Sequence, residues 1–287
     1  MKTRTVWAVL LTMAVAVVML GACGKASNDV QVEAVSEETT ADDGVMDDVV
    51  AESPVSDEAV PEDPALQVAG KTWGVLGDSL TEKNFRARTS YYDYVAEDLG
   101  CTVVNWGVSG TGYKEAGGAE PFYERVGKMD LTNVDCLTVF GSFNDLGKGY
   151  ELGTAYDEGT DTIGGCMALT VQRLLEAKPG LSMGIVTPTP WPEGLAYDGR
   201  GYIDSHATTR EECDAYVQLL KDVAARFDLP VLDLYEISGF NPDDEAQQQQ
   251  YYTEDGVLDD AYVHPNSEGH RFMYPLWREF VIELVAG

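Results

Sequence analysis

Along residues 71–287, short apolar runs rich in β-branched residues alternate with longer amphipathic stretches. That is the pattern of parallel strands joined by covering helices. Strands are expected at 73–77, 102–106, 135–140, 182–187 and 230–234, with helices near 90–99, 160–177, 208–227 and 268–285. In the 208–227 segment Tyr216, Leu219, Leu220, Val223 and Phe227 recur at helical spacing and supply a face that packs on a sheet. No internal repeat interrupts the pattern. Five strands with intervening helices predict an α/β fold: a flavodoxin-like three-layer α/β/α sandwich with a five-stranded parallel sheet. In such folds ligands sit beyond the C-terminal ends of the strands.

The first 70 residues follow other patterns. Lys2 and Arg4 precede an apolar run from Val6 to Leu20 in which Thr12 is the only polar member. This is short of the roughly 20 residues that span a bilayer and matches a signal-peptide core. It ends in Leu20-Gly21-Ala22-Cys23, which resembles the lipobox of bacterial lipoproteins. The resemblance implies that residues 1–23 are an export signal and that Cys23 is the lipidated residue of the mature chain. An uncleaved membrane anchor is the rival reading; both place the remainder outside the cytoplasm, and in the lipoprotein reading the N-terminal lipid is the sole membrane contact. Residues 24–70 hold one Leu, no aromatic residue and a net charge of −12. Such a stretch cannot bury enough apolar surface to offset its ordering entropy, so a disordered acidic linker is expected there, a spacer for the domain at 71–287.

Charge narrows the function. The chain carries 19 Lys+Arg against 49 Asp+Glu, a formal net charge of −30. A dedicated nucleic-acid partner is excluded, because affinity for a phosphate backbone comes mostly from Lys and Arg. Candidate chemistry gathers at the expected strand ends. Gly77-Asp78-Ser79-Leu80 puts a hydroxyl on the turn after the first strand, into which backbone N–H groups point. Asn105-Trp106-Gly107-Val108-Ser109-Gly110-Thr111 ends the second strand, with glycines that let backbone approach a ligand. Gly141-Ser142-Phe143-Asn144-Asp145 ends the third and brings a carboxamide donor, and Asp259-Asp260-Ala261-Tyr262-Val263-His264-Pro265-Asn266, just before the last helix, supplies a base.

These four blocks, in this order, resemble the SGNH or GDSL family of serine esterases and lipases over nearly all of 71–287. The resemblance implies a carboxylic ester hydrolase with no metal or cofactor. It makes Ser79 the nucleophile and His264 its base, with the N–H groups of Ser79 and Gly110 and the side chain of Asn144 as the oxyanion hole. The residue types suit those roles. A serine hydroxyl needs a base within hydrogen-bond reach, and a developing oxyanion needs fixed donors.

Two positions depart from the family pattern. The acid usually found three residues before the catalytic His is Ala261 here; Asp260, four before, is favoured as the orienting acid, with Asp259 next and Asp255 third, and a backbone carbonyl as a further substitute. The Gly usually found two before the Asn is Ser142. Among other candidates, His206 reads as a surface residue and His270 as a packing or capping residue. Trp106, Tyr113, Phe143 and Trp191 could stack on a sugar or acyl group or simply pack. Cys101, Cys136, Cys166 and Cys213 have no zinc-site spacing and read mostly as buried thiols, with a bridge involving Cys166 or Cys213 left open.

The leading expectation is a lipid-anchored serine hydrolase that cleaves small-molecule or glycan esters through an acyl-enzyme, with O-acetyl groups on glycans favoured. A charge of −20 on the domain disfavours strongly anionic substrates. The rivals are a non-catalytic glycan-binding protein on the same fold, for which the displaced Asp is the one supporting feature, and an acyltransferase.

Overall fold

The computed structural model divides into two units, Met1–Glu58 and Ala59–Gly287. It describes residues 63–192, 207–259 and 262–287, all within the second unit. The expected export signal, Cys23, most of the linker, His206 and Asp260 lie outside the described residues.

The elements run β1 (Thr72–Gly77), α1 (Tyr91–Leu99), β2 (Thr102–Gly107), α2 (Phe122–Arg125), β3 (Cys136–Phe140), α3 (Ile163–Ala177), β4 (Ser182–Val186), α4 (Arg210–Arg226), β5 (Val231–Leu232), α5 (Leu234–Ile237), α6 (Glu245–Tyr251), β6 (Thr253–Glu254), β7 (Val257–Leu258) and α7 (Ser267–Ala286). The first five strands form one parallel sheet in the order β2-β1-β3-β4-β5. This is the doubly wound order, with β1 and β3 at the switch point.

Period-2 alternation sorts the core into two layers. Trp73 and Val75 of β1, Cys136 and Phe140 of β3 and Val186 of β4 face α1 and α7, where Tyr91 stacks on Trp277 at 4.0 Å between ring centroids. Leu76, Leu137, Val139, Met183 and Ile185 face the other way, onto α3 and α4. The helical stripe expected in α4 does this packing: Tyr216, Leu219, Leu220 and Val223 are all buried.

Two boundaries and several short elements differ from expectation. Order begins before Lys71, since Pro64–Gln67 forms a 3-10 turn and Val68 is fully buried. β5 stops at Leu232 because the Asp233 side chain caps the following turn by accepting the Glu236 N–H, which starts α5. The β6–β7 hairpin was not expected, although its Asp255-Gly256 turn carries the sequence signal for one: both residues have positive φ, 53° and 78°. Cys101, Cys136, Cys166 and Cys213 are free thiols.

Candidate active site

The nucleophile turn follows β1 directly. Thr81 and Glu82 donate their N–H groups to the Asp78 carbonyl, and the Asp78 carboxylate accepts the Leu80 N–H at 2.8 Å. Ser79 is thereby held on a tight turn, and the next helix begins only at Tyr91. Asn84 closes the loop by donating to the Ser79 carbonyl at 3.0 Å.

The loop after β2 is drawn against this turn. Asn105 donates to the Thr81 carbonyl at 2.8 Å, and the Ser109 hydroxyl donates to Glu82. Gly107 permits the approach, because a Cβ there would lie 2.4 Å from the Glu82 nitrogen. Gly110 follows with φ of 75°, a conformation that L side chains rarely adopt. Among the described residues, neither the Ser79 N–H nor the Gly110 N–H donates to another group.

The turn after β3 completes the edge. Asn144 donates from Nδ2 to the Thr111 carbonyl at 2.9 Å and faces Asp78 Oδ2 at 3.4 Å. Ser142, which replaces the expected Gly, ties the same loops: its hydroxyl donates to the Thr111 carbonyl and accepts the Asn144 N–H.

His264 enters from the loop before α7. Its Nε2 lies 2.9 Å from Ser79 Oγ, and its Nδ1 lies 3.2 Å from Asp259 Oδ1. In the tautomer this geometry requires, Nδ1–H donates to the carboxylate and Nε2 accepts the serine hydroxyl proton. Asp259 therefore stands where Asp260 was expected. The reason is the path of the loop: Tyr262 turns the chain at φ of 52° and donates its N–H back to the Asp259 carbonyl. Asp259 Oδ2 then accepts the N–H groups of Val263 and His264, so the backbone before the imidazole closes onto one carboxylate. Burial alone would raise the Asp259 carboxyl, but the hydrogen bond and charge of His264, with the two N–H donors, hold it below the ordinary carboxylate value. Asp255, the third candidate, pairs with Arg88 instead.

His270 behaves as packing. It is buried and stacks on Tyr91, and burial pushes its pKa down to about 3, so it stays neutral. Tyr113, Phe143 and Trp191 are also buried, with Phe143 edge-on to Trp191, which removes them as platforms for a ligand. Trp106 is half-buried against the core. The exposed aromatic beside the site is Phe85, which sequence reasoning passed over.

Two buried charges that the sequence reading did not single out organise this edge. Arg125 donates to the carbonyls of Gly77, Trp106 and Glu120 and to the Thr111 hydroxyl, bridging the ends of β1 and β2; burial brings its pKa down to about 10. Asp145 accepts the N–H groups of Tyr113, Lys114 and Glu115 and the Tyr216 hydroxyl, while burial raises its pKa to about 6. Among the described residues there is no group of three or more His, Cys, Asp or Glu able to hold a metal ion, and no helix long and apolar enough to cross a membrane.

A serine hydroxyl, an imidazole and a carboxylate stand in one hydrogen-bonded line beside free backbone N–H groups at the carboxyl edge of a doubly wound sheet, the arrangement a serine hydrolase would need on an α/β/α fold. The sequence profile of the GDSL-like lipase/acylhydrolase family matches residues 75–272, and the chain belongs to that family, which makes it a carboxylic ester hydrolase. Solved structures share the fold. A Lactobacillus plantarum protein superposes with a TM-score of 0.60 at 23% identity, covering 75% of this chain and 97% of its own. A possible lipase from Chitinophaga pinensis gives 0.57 at 16% identity, covering 75% and 99%. An aryl esterase from M. smegmatis, in an inhibitor-bound form, gives 0.53 at 16%, covering 75% and 100%. No curated protein sequence matches the chain.

Proposed function

We propose that the protein is an exported, lipid-anchored esterase that works through an acyl-enzyme on Ser79, with short acyl esters, including O-acetyl groups on glycans, as substrates. The observation that carries the mechanism is the continuous hydrogen-bonded line from Ser79 Oγ through both nitrogens of His264 to Asp259. In the proposed reaction Ser79 Oγ attacks the ester carbonyl as its proton passes to His264 Nε2. Asp259 holds the ring and stabilises its charge. The oxyanion is met by the N–H groups of Ser79 and Gly110 and by the Asn144 Nδ2–H that faces Asp78 in the resting site, each donor contributing about 3–4 kcal/mol to lowering the barrier. His264 then protonates the leaving alcohol, and water activated by the same ring releases the acid.

Export rests on the Leu20-Gly21-Ala22-Cys23 sequence after its apolar run, and the acidic stretch that follows suits a spacer. The non-catalytic glycan-binding alternative drew its support from the displaced acid, and Asp259 at His264 Nδ1 removes that support. The deciding test is a panel of p-nitrophenyl acetate, butyrate and octanoate beside acetylated xylan. Turnover greatest on acetate, with acetate release from xylan, is expected; preference for octanoate would make the protein a lipase, and no turnover on any would overturn the enzyme reading. Cys23→Ala should release the protein from membranes, and retention would contradict the lipid anchor.

A further inference from the structure

The segment that follows the nucleophile carries three cations within six residues, and they differ in what they face. Lys83 pairs with Asp93, and Arg88 pairs with Asp255 and approaches Glu254. Arg86 pairs with no carboxylate among the described residues; its guanidinium lies over the Phe85 ring at 4.9 Å. In a domain with 36 acids and 16 bases, an arginine left without an acid beside the nucleophile stands out.

Its placement is fixed by the catalytic turn. The Arg86 N–H donates to Asn84 Oδ1 at 2.9 Å, and Asn84 Nδ2 donates to the Ser79 carbonyl, so one side chain links the backbone of Arg86 to that of the nucleophile. Arg86 lines the small gap beside Ser79 and also a hollow of about 110 Å³ with Phe85, Tyr252, Val257, Leu258 and His264. Glu254 and Asp259 border that hollow, but both are engaged. Glu254 accepts from the Ser267 N–H and hydroxyl and from the Arg88 N–H, and Asp259 accepts from Val263 and His264.

The chemistry assigns the hollow a side of the substrate. His264 must hand its proton to the departing oxygen, so the alcohol portion lies on the His264 side, away from the donors at the ends of β2 and β3. The hollow is therefore a leaving-group subsite with an apolar wall and one free guanidinium, whose planar fork matches a carboxylate. Resting on the ester-hydrolase reading above, we infer that Arg86 is a specificity-determining residue that selects esters whose alcohol portion carries a carboxylate, the ring or chain of that alcohol lying on Phe85 and Val257. Such a contact acts against the repulsion of the acidic domain, so anionic substrates of this one shape are accepted while others are turned away.

The test uses the whole protein and a matched pair, 4-acetoxybenzoate and its methyl ester, which differ at the alcohol side by one negative charge. The measured quantity is the ratio of kcat/KM between the two esters, compared across wild type, Arg86→Lys and Arg86→Gln, so that any common effect of a substitution cancels. The ratio is expected to fall about tenfold or more in Arg86→Gln, to be partly kept in Arg86→Lys, and to drop with added salt in the wild type. Fluorophosphonate labelling of Ser79 in Arg86→Gln reports an assembled site. An unchanged ratio in a labelled Arg86→Gln overturns the inference and leaves the esterase intact. A loss seen instead on 4-nitrophenyl hydrogen succinate relative to 4-nitrophenyl butyrate would place the charge contact on the acyl side and overturn the leaving-group assignment. Hydrolysis of neither ester by the wild type would overturn the esterase reading, and this inference with it.

Discussion

On one side of Ser79, the turns after β1, β2 and β3 are bound together by side chains that are themselves buried. Arg125 spans two strand ends, Asp145 gathers three consecutive N–H groups, and Tyr216 accepts from Ser142 while donating to Asp145. On the other side, His264 stands on a loop outside the sheet, tied at its ends to the α6–β6 segment by the Asp259 N–H on the Tyr252 carbonyl and by Asn266 on the carbonyls of Gln250, Tyr251 and Thr253, with the Asp259 carboxylate orienting the imidazole. The first region is built into the sheet and should resist local opening; the second is a loop outside the sheet, in which one carboxylate orients the imidazole. On the proposed mechanism, the donors that must not move during reaction are on the rigid side, and the group that would shuttle a proton is on the loop side.

The largest expected effect breaks the point where the regions meet. Ser79→Ala should lower kcat by roughly 10⁴-fold or more, since members of such a unit fail together, with a melting temperature close to wild type. Thermal denaturation alongside turnover of p-nitrophenyl acetate checks both halves of that statement.

Breaking the loop side should cost activity more than stability. Asp259→Asn is expected to lower kcat by about 10²–10⁴-fold, because the amide favours the wrong imidazole tautomer, and Asp260→Asn by less than about threefold. Steady-state rates of the two variants on one ester decide the assignment, and the reverse order would return the role to Asp260.

Breaking the sheet side should do the opposite. Arg125→Met removes a buried donor from three carbonyls and a hydroxyl and should destabilise the fold by about 3–5 kcal/mol, read by urea denaturation. The variant should lose activity chiefly through unfolding. A Met variant of wild-type stability would show that the strand ends hold themselves together.

Asp145 gives a smaller effect with a defined sign. Its folded pKa of about 6 lies above the ordinary value of 3.8, so the folded state keeps its proton longer than the unfolded chain does. Its contribution to stability is therefore greatest below about pH 4 and declines as pH rises through 6, by up to about 3 kcal/mol. The stability of wild type minus that of Asp145→Asn should fall by this amount between pH 4 and 7, and a constant difference would contradict the burial argument.

The two regions were also unequally legible. Ser79, Gly110, Asn144 and His264 could be placed because each occupies a recognisable block at a strand end or before the last helix, and the structure brings those blocks to one edge. Arg125 and Asp145 carry no such signal: in sequence each is one charge among many, and only burial distinguishes it from a surface residue. The acid was misplaced by one residue because spacing alone does not reveal a left-handed turn at Tyr262. The aromatic residues stayed open between stacking and packing for a related reason. Proximity to strand-end loops says nothing about which way a ring points, and Tyr113, Phe143 and Trp191 point inward.

The central claim is that ester cleavage passes through a covalent bond to Ser79 Oγ. The most direct measurement is peptide mass spectrometry of the protein after reaction with a fluorophosphonate, with wild type and Ser79→Ala treated in parallel. The expected result is a single adduct on the Ser79 hydroxyl in the wild type, loss of hydrolysis in step with its formation, and no adduct in the variant. An adduct on another residue, or full hydrolysis by a protein whose Ser79 is completely modified, would contradict it.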